Sequence, residues 1–557
     1  MKKILSVFLT LAMMLTMLSL PLTSVSAVEP ESHNEIYDTS KAVGGVLTLD
    51  DGDYTVITTA EGLRSMTGEG KYILGACIDF KGAEWGLPIS WYGTLEGNGH
   101  TVTGFSVKGG GMFQWYRQTT WEAAPTIRIA NVTFGAPNAL IPVTGGGTSG
   151  NGLFTPLIRY NTVAGVTKGI NLQVENMQAY VNVFGVGTSN DVYMGGLIGY
   201  AMNKDTLTFT NCLVDGSING RTILGGYIGM LGSGGYVTAN FENCINSVDI
   251  VEGNTYSSRG GFVGYINQWG STVNVTNCIN KGNVSGGTAS NTGALVKNSG
   301  ISALVGECYN KGKQAITVNG FLNLGTITHA DSADTAGVLI GYLPATCTLS
   351  ATNVVTTTTI TGGNNHGSPE PVTSADDLAS GKAAALLGKG FGQEIGVETM
   401  PKIGGMPVIE RVIGEDTYYG NVIDCEDDKA TVYAQFTADN GGLRNHRVLI
   451  AVPEAYLAEV TSVTFRVTYT LTEQAGGGTA VAELTGKDVS SYYVVKAANG
   501  TYATEDGVVL LAVVIEGVPT NDWTEMNVTL AVTGSDAAVA AYTANATFVQ
   551  DEIESLK

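Results

Sequence analysis

The sequence predicts an all-β chain: a parallel β-helix solenoid followed by an antiparallel β-sandwich of Ig-like size. Three observations predict it. A glycine-hydrophobic phrase recurs down most of the chain, followed each time by an asparagine. Glycine is abundant, at 75 of 557 residues, while charged residues make up only 14%. After about residue 418 the repeat stops and alternating runs of Val, Thr and aromatic residues replace it.

The first 27 residues are read as a secretory signal peptide. Lys2 and Lys3 form a basic start, Ile4 to Leu20 an uncharged apolar run, and Val25-Ser26-Ala27 a small-residue cleavage site. Localisation is therefore expected to be extracellular, free or held at the cell surface, with no transmembrane segment in the mature chain. The net charge is -21, and loss of Lys2 and Lys3 takes it to -23. Lys and Arg form no runs, so nucleic acid and anionic membrane are expected to be poor partners, because binding phosphate needs a basic surface.

Residues 28–52 are polar and aperiodic and are expected to form a flexible leader. Thr58 to Met66 reads as a short helix with a Thr cap and Glu61 in its first turn, suited to covering the open end of a stack. The solenoid is expected over residues 53–363. Its phrases include Met194-Gly195-Gly196-Leu197-Ile198-Gly199-Tyr200, Leu224-Gly225-Gly226-Tyr227-Ile228-Gly229 and Arg259-Gly260-Gly261-Phe262-Val263-Gly264-Tyr265. Weaker copies begin at Ser302 and Ala336 and lack the doubled glycine, which leaves the coil boundaries there open. The asparagines that follow are Asn131, Asn176, Asn211, Asn243, Asn277, Asn323 and Asn353. A period of roughly 30 to 46 residues describes units that bury a core only against each other.

Asn211, Asn243 and Asn277 are expected to stack as one buried ladder of side-chain amides. Cys212, Cys244 and Cys278 follow them directly and are expected to stack as a ladder of free, buried thiols, although coil spacing would geometrically allow a bridge. Seven cysteines cannot all pair, and Cys77, Cys308, Cys347 and Cys425 show no pairing pattern.

Residues 364–417 are read as a linker and a short helix, Ser374 to Gly390, with Gly388 as its stop. Residues 418–550 carry seven expected strands, at Ala430–Thr437, Arg447–Val452, Ser462–Thr472, Tyr492–Ala497, Val508–Ile515, Asn527–Thr533 and Tyr542–Val549. Residues 551–557 are a tail.

The stretch Tyr72 to Phe80, the glycine turn Gly93 to Gly104, and the Gly-Gly-Leu-Ile-Gly-Tyr and Asn-Cys phrases resemble secreted bacterial β-helix proteins with GLUG-type repeats. So do Leu378 to Leu387, Gly392-Gln393 and Pro401 to Val408, a phrase that commonly closes the repeat region in such proteins. The resemblance covers about residues 54 to 410. It implies a right-handed parallel β-helix and a surface, adhesin-like role, and it brings no catalytic motif.

The chemistry is sparse. Trp91, Tyr92, Trp115, Tyr116 and Trp121 sit in an aromatic stretch that holds four of the six tryptophans. They read either as a sugar- or protein-binding platform, with at least one ring face open, or as a bulky N-terminal cap. Asp79, His100, and His329 with Asp331 and Asp334 are acid or histidine positions without an evident catalytic partner. The clusters Asp50-Asp51-Gly52-Asp53 and Asp424 to Asp428 are oxygen-rich, but neither has the register of a calcium loop, so no cofactor is expected. The expected function is non-catalytic recognition of an extracellular glycan or surface protein. The alternative is a polysaccharide lyase or glycoside hydrolase of the pectin-lyase-like β-helix type, which would gather acids on one sheet face.

Overall fold

The structure is a computed structural model. It describes residues 36–549 apart from 110, 116–122, 146–149, 159–168, 186–192, 203, 221, 233–235, 253–257, 268–269, 287–299, 310–312, 329–334, 358–369, 372–374, 396–397, 414–415, 424–430, 437–442, 454–459, 472–478, 488–503, 506–507, 520–522 and 535–542. The signal peptide, the tail, the strand expected at Tyr492–Ala497, Cys425 and the Asp424 to Asp428 cluster lie outside the described residues, as do Tyr116, Trp121, His329, Asp331 and Asp334.

The chain is all-β, built on long parallel sheets in a solenoid-like stack. A 21-stranded sheet and two five-stranded parallel sheets carry it. One coil shows the pattern. Thr206–Thr210 runs into a bend at Asn211-Cys212 and continues as Leu213–Gly220; the glycine phrase then supplies Ile223–Gly225 and Ile228–Leu231. The next coil repeats this from Thr238. Pairing runs unbroken through Thr206, Thr238, Thr272, Ala315 and Thr348. The weaker glycine copies keep the same register: Gly260 faces Ser302, which faces Gly337. Backbone pairing sets the coil even where a glycine is missing.

Alternation places one face of every strand inside. Leu172, Leu207, Ala239, Val273 and Ile316 line up in the core, as do Val174, Phe209, Phe241, Val275 and Val318. The doubled glycines are required by close approach between coils. A Cβ on Gly226 would lie 1.9 Å from the Gly261 carbonyl and 2.0 Å from Asn246 Oδ1.

At the N-terminal end, residues 46–52 already belong to the sheet and are not a flexible leader. Val46–Leu49 pairs antiparallel with Gly52–Ile57, which then pairs parallel with Lys71–Leu74. The expected helix forms over Ala60–Arg64; Thr59 caps it by accepting from the Gly62 N–H at 3.1 Å. Its Leu63, and Met66 just beyond, are fully buried against the first coils.

The helix expected at 374–390 is two short helices, Ala375–Ala379 and Lys382–Leu387, broken at Gly381 (φ 90). A left-handed residue cannot continue a helix. Ala383, Leu387 and Phe391 pack on Ile279, Leu322 and Val355, so this segment clamps the flank of three successive coils.

Beyond it the strands are antiparallel. A six-stranded sheet begins at Val408–Ile413, inside the stretch read as linker, and adds Asp416–Ile423, Thr431–Phe436, Leu443–Pro453, Val508–Pro519 and Thr504–Glu505. A four-stranded sheet orders Thr479–Lys487, Val460–Leu471, Trp523–Gly534 and Thr543–Val549. Among the described residues no helix is long and apolar enough to cross a membrane.

Candidate functional site

The aromatic stretch is interior. Trp91 and Trp115 are fully buried, and Tyr92 is 5% exposed. Trp115 stacks on Phe113, with ring centroids 5.4 Å apart, and Phe113 tilts against Trp91 at 5.3 Å. Each indole N–H is satisfied by a carbonyl: Trp85 by Met112, Trp91 by Gly70 and Trp115 by Trp91, each at 3.0 Å. The expectation of an open ring face at Trp91 or Trp115 is thus corrected: these rings are the core of the first coils.

The asparagines do stack, but not in the interior. Asn211 donates to Asn176 at 2.9 Å, Asn243 to Asn211 at 3.1 Å and Asn277 to Asn243 at 3.4 Å. Asn211 is exposed, and Asn243 and Asn277 are half-buried. All three have left-handed backbone, with φ from 51 to 53. Asparagine is the non-glycine residue that tolerates this conformation best, so the bend itself demands it. In the following coil Gly320 (φ 80) takes the bend, because Cys278 faces Phe321 and Asn280 faces Asn323. Asn323 therefore belongs to a different file.

That file is buried. Asn246 donates to Asn280 at 2.8 Å, Asn280 to Asn323 at 2.8 Å and Asn323 to Thr356 at 3.1 Å. All three asparagines are fully buried. In the coil before Asn246 the position is Val214, so Asn246 Oδ1 ends the file without a hydrogen-bond partner among the described residues. Cys212, Cys244 and Cys278 are free, buried thiols beside the bend, each donating to carbonyl oxygens, as Cys244 does to Phe209 at 3.3 Å. Burial pushes the Cys212 and Cys278 thiols well above their ordinary value.

The remaining acid and histidine positions are occupied structurally. Asp79 accepts from the Lys81 N–H at 2.8 Å, closing a turn. His100 is buried, with Nδ1 3.6 Å from the Cys77 sulfur. Asp51 binds Lys71 and Tyr54, both at 2.8 Å, and Asp53 accepts from Thr48 at 2.7 Å. Glu96 and Glu175 both hold Arg128, at 3.3 and 2.9 Å. Asp215 and Asp249 share the outer face of adjacent strands, but Asp249 is spent on the turn at Asn283, accepting its N–H at 2.9 Å and its amide at 3.0 Å.

A different face gathers tyrosines and one carboxylate in a single register row. The second strand of each glycine phrase forms a five-stranded parallel sheet. Its Ala201, Leu231, Ile266 and Cys308, in register with one another, join the core. On its other face one register row reads Tyr200, Met230, Tyr265, Glu307, Tyr342. Successive members are about 4.8 Å apart along the stack. Tyr193 extends the row sideways, its ring 5.0 Å from that of Tyr200. Glu307 is the one carboxylate in these five strands, and it accepts a hydrogen bond from the Ser258 hydroxyl. Burial pushes its carboxyl up to about 7, against the opposing pull of Ser258. Burial and the nearby Glu307 also raise the Tyr265 phenol.

Tyr200 and Met230 are buried, while Tyr265, Glu307 and Tyr342 are half-buried, so the accessible part of the row is two phenols flanking a carboxyl that donates when protonated and accepts when ionised. Sequence reading missed it because the tyrosines ending Ile-Gly-Tyr, at Tyr200 and Tyr342, and Val-Gly-Tyr, at Tyr265, read as part of the repeat. The signal was present: in three of the five copies the position that faces away from the core at the end of the phrase is tyrosine.

No family model matches this chain, and no curated protein matches it. Among solved structures it is similar to the "putative immunoglobulin A1 protease from Bacteroides ovatus", at 16% identity and a TM-score of 0.32. The superposition covers 64% of this chain and 94% of that one. A match that loose carries no argument about fold or activity.

Proposed function

We propose that this chain is an exported, adhesin-like binding protein whose tyrosine row receives an extracellular glycan. In this reading the stack is a right-handed parallel β-helix of GLUG-type repeats, and the antiparallel sheets form an Ig-like sandwich that serves as spacer or attachment module. The observation that carries it is the row Tyr200–Met230–Tyr265–Glu307–Tyr342 on one five-stranded parallel sheet, with Tyr265, Glu307 and Tyr342 half-buried. Sugars present apolar C–H faces and hydroxyl edges at a spacing that ring faces and one carboxyl can meet together. No metal ion or cofactor enters this reading.

The test is a glycan-array and extracellular-matrix screen on the chain from residue 28 onward, with Tyr265→Ala and Tyr342→Ala beside it. Loss of roughly tenfold or more in glycan affinity, about 1.4 kcal/mol, with unchanged thermal unfolding supports the row. Binding that ignores both substitutions sinks it. Capture of a matrix protein alone would move the ligand class from glycan to protein. Depolymerisation of a polysaccharide, lost in Asp215→Asn, would favour the lyase or hydrolase reading.

A further inference from the structure

We infer that Cys308 and Cys347 are a modification site, a dithiol that closes to a disulfide and ties two successive coils together. The structure shows both as free thiols in the same hydrophobic core. Glu307 pairs with Tyr342 across the coils, so Cys308 lies on the strand end next to the turn that carries Cys347. Cys347 Sγ lies 3.6 Å from the carbonyl of Tyr309, the residue bonded to Cys308, and 2.7 Å from Gln314 Oε1. The first contact seats the Cys347 sulfur against the backbone that directly follows Cys308, the neighbourhood that a bridge between the two needs.

Access differs between the two. Cys308 is fully buried, while Cys347 is 8% exposed at a tight turn whose Ala345 and Thr346 are exposed. The neighbouring Cys308 thiol pulls the Cys347 thiol down to about 7, which favours attack by its thiolate near neutral pH. Cys347 is thus the entry point and Cys308 the resolving thiol. The oxidant is a small-molecule or protein disulfide, the class that oxidising compartments supply. Cys347 thiolate attacks it, its S–S bond breaks, and one thiol leaves from a mixed disulfide. Cys308, giving up its proton, then displaces the second thiol as the Cys308–Cys347 bond forms. The two electrons end on the oxidant's sulfurs. Cys212, Cys244 and Cys278 are also near one another, but they are at most 1% exposed and offer an oxidant no edge.

The experiment uses the full chain. One sample is held with oxidised glutathione, one with diamide, and one with a phosphine reductant. Each is denatured in iodoacetamide, digested and read by mass spectrometry. The expected result is a cross-linked peptide joining Cys308 to Cys347 in both oxidised samples, with Cys212, Cys244 and Cys278 alkylated. The oxidised chain should also unfold several degrees higher than the reduced one, and Cys347→Ser should abolish both the cross-link and the rise. Full alkylation of Cys308 and Cys347 after both oxidants overturns the inference. So does a cross-link confined to the other cysteines. Because the peptide map is read on the unmutated chain, a poorly folding variant cannot obscure the answer.

Discussion

Asn280 donates its side-chain amide to Asn323 Oδ1 at 2.8 Å, one coil further on, and the same nitrogen also reaches the Gly282 carbonyl at 2.9 Å. Asn246 in turn donates to Asn280 Oδ1. Asn280 is therefore the hub of the buried file, and its removal strands a donor on one side and an acceptor on the other. Asn280→Leu is expected to cost about 3 kcal/mol, since buried polar groups left unpaired are penalised by roughly 1 to 3 kcal/mol each. Denaturant unfolding of the variant checks this, and a loss under about 1 kcal/mol would mean the file is not held by these bonds.

At the surface bend the requirement is conformational. Asn243 sits at φ 53 with its side chain half-buried. Asn243→Gly should be close to neutral, while Asn243→Val should cost about 1 to 2 kcal/mol, because a β-branched residue resists left-handed backbone. Equal losses in the two variants would shift the weight back to the amide stack.

Gly226 has no room for a side chain. A Cβ there would lie 1.9 Å from a backbone carbonyl, and backbone does not yield as a flexible side chain does. Gly226→Ala is expected to destabilise by about 3 kcal/mol or more, or to prevent folding. Gly404→Ala is the control for general glycine loss, since nothing lies within 4 Å of its Cβ, although its φ of 68 adds backbone strain of about 1 kcal/mol. A stable Gly226→Ala chain would contradict the coil spacing.

Glu307 should make stability fall as pH rises. Its carboxyl titrates near 7 in the fold, against an ordinary value of 4.5. Below about 4.5 both folded and unfolded chains hold the proton and nothing is lost. Between there and about 7 the unfolded chain releases a proton that the fold keeps, so stability declines, then levels off. Glu307→Gln removes the titration and still accepts from Ser258. The variant should therefore be more stable than the parent above pH 7, by on the order of 2 kcal/mol, and lose this advantage below pH 4.5. Thermal melts at pH 4, 6 and 8 decide it. A parent-minus-variant difference that stays flat across that range would mean the carboxyl is solvated.

Much of the stack was legible because its constraints are local and repeat. The glycine phrases fall where coils approach most closely, and Cys212, Cys244 and Cys278 occupy one place in successive coils. Other features depend on which way a side chain faces, and a repeat pattern does not encode that. Asn243 and Asn246 differ in role although three residues apart: one answers a left-handed bend, the other a buried amide contact. The doubled Asn-Cys-Ile-Asn phrase, at Asn243 to Asn246 and Asn277 to Asn280, carried the second signal. Trp91 and Trp115 were ambiguous for the same reason, since an indole composition suits a cap and a platform equally. The tyrosine row became visible only when register brought Tyr265 and Glu307, 42 positions apart in sequence, side by side.

The indole hydrogen bonds have a mechanical consequence. Trp115 grips the carbonyl of Trp91, and Trp91 grips that of Gly70, so each ring in one turn of the chain is latched to the backbone of the turn before it. Force applied at the N-terminal end would load these latches in series rather than peel the turns off singly. That end should resist pulling and proteolysis as one block.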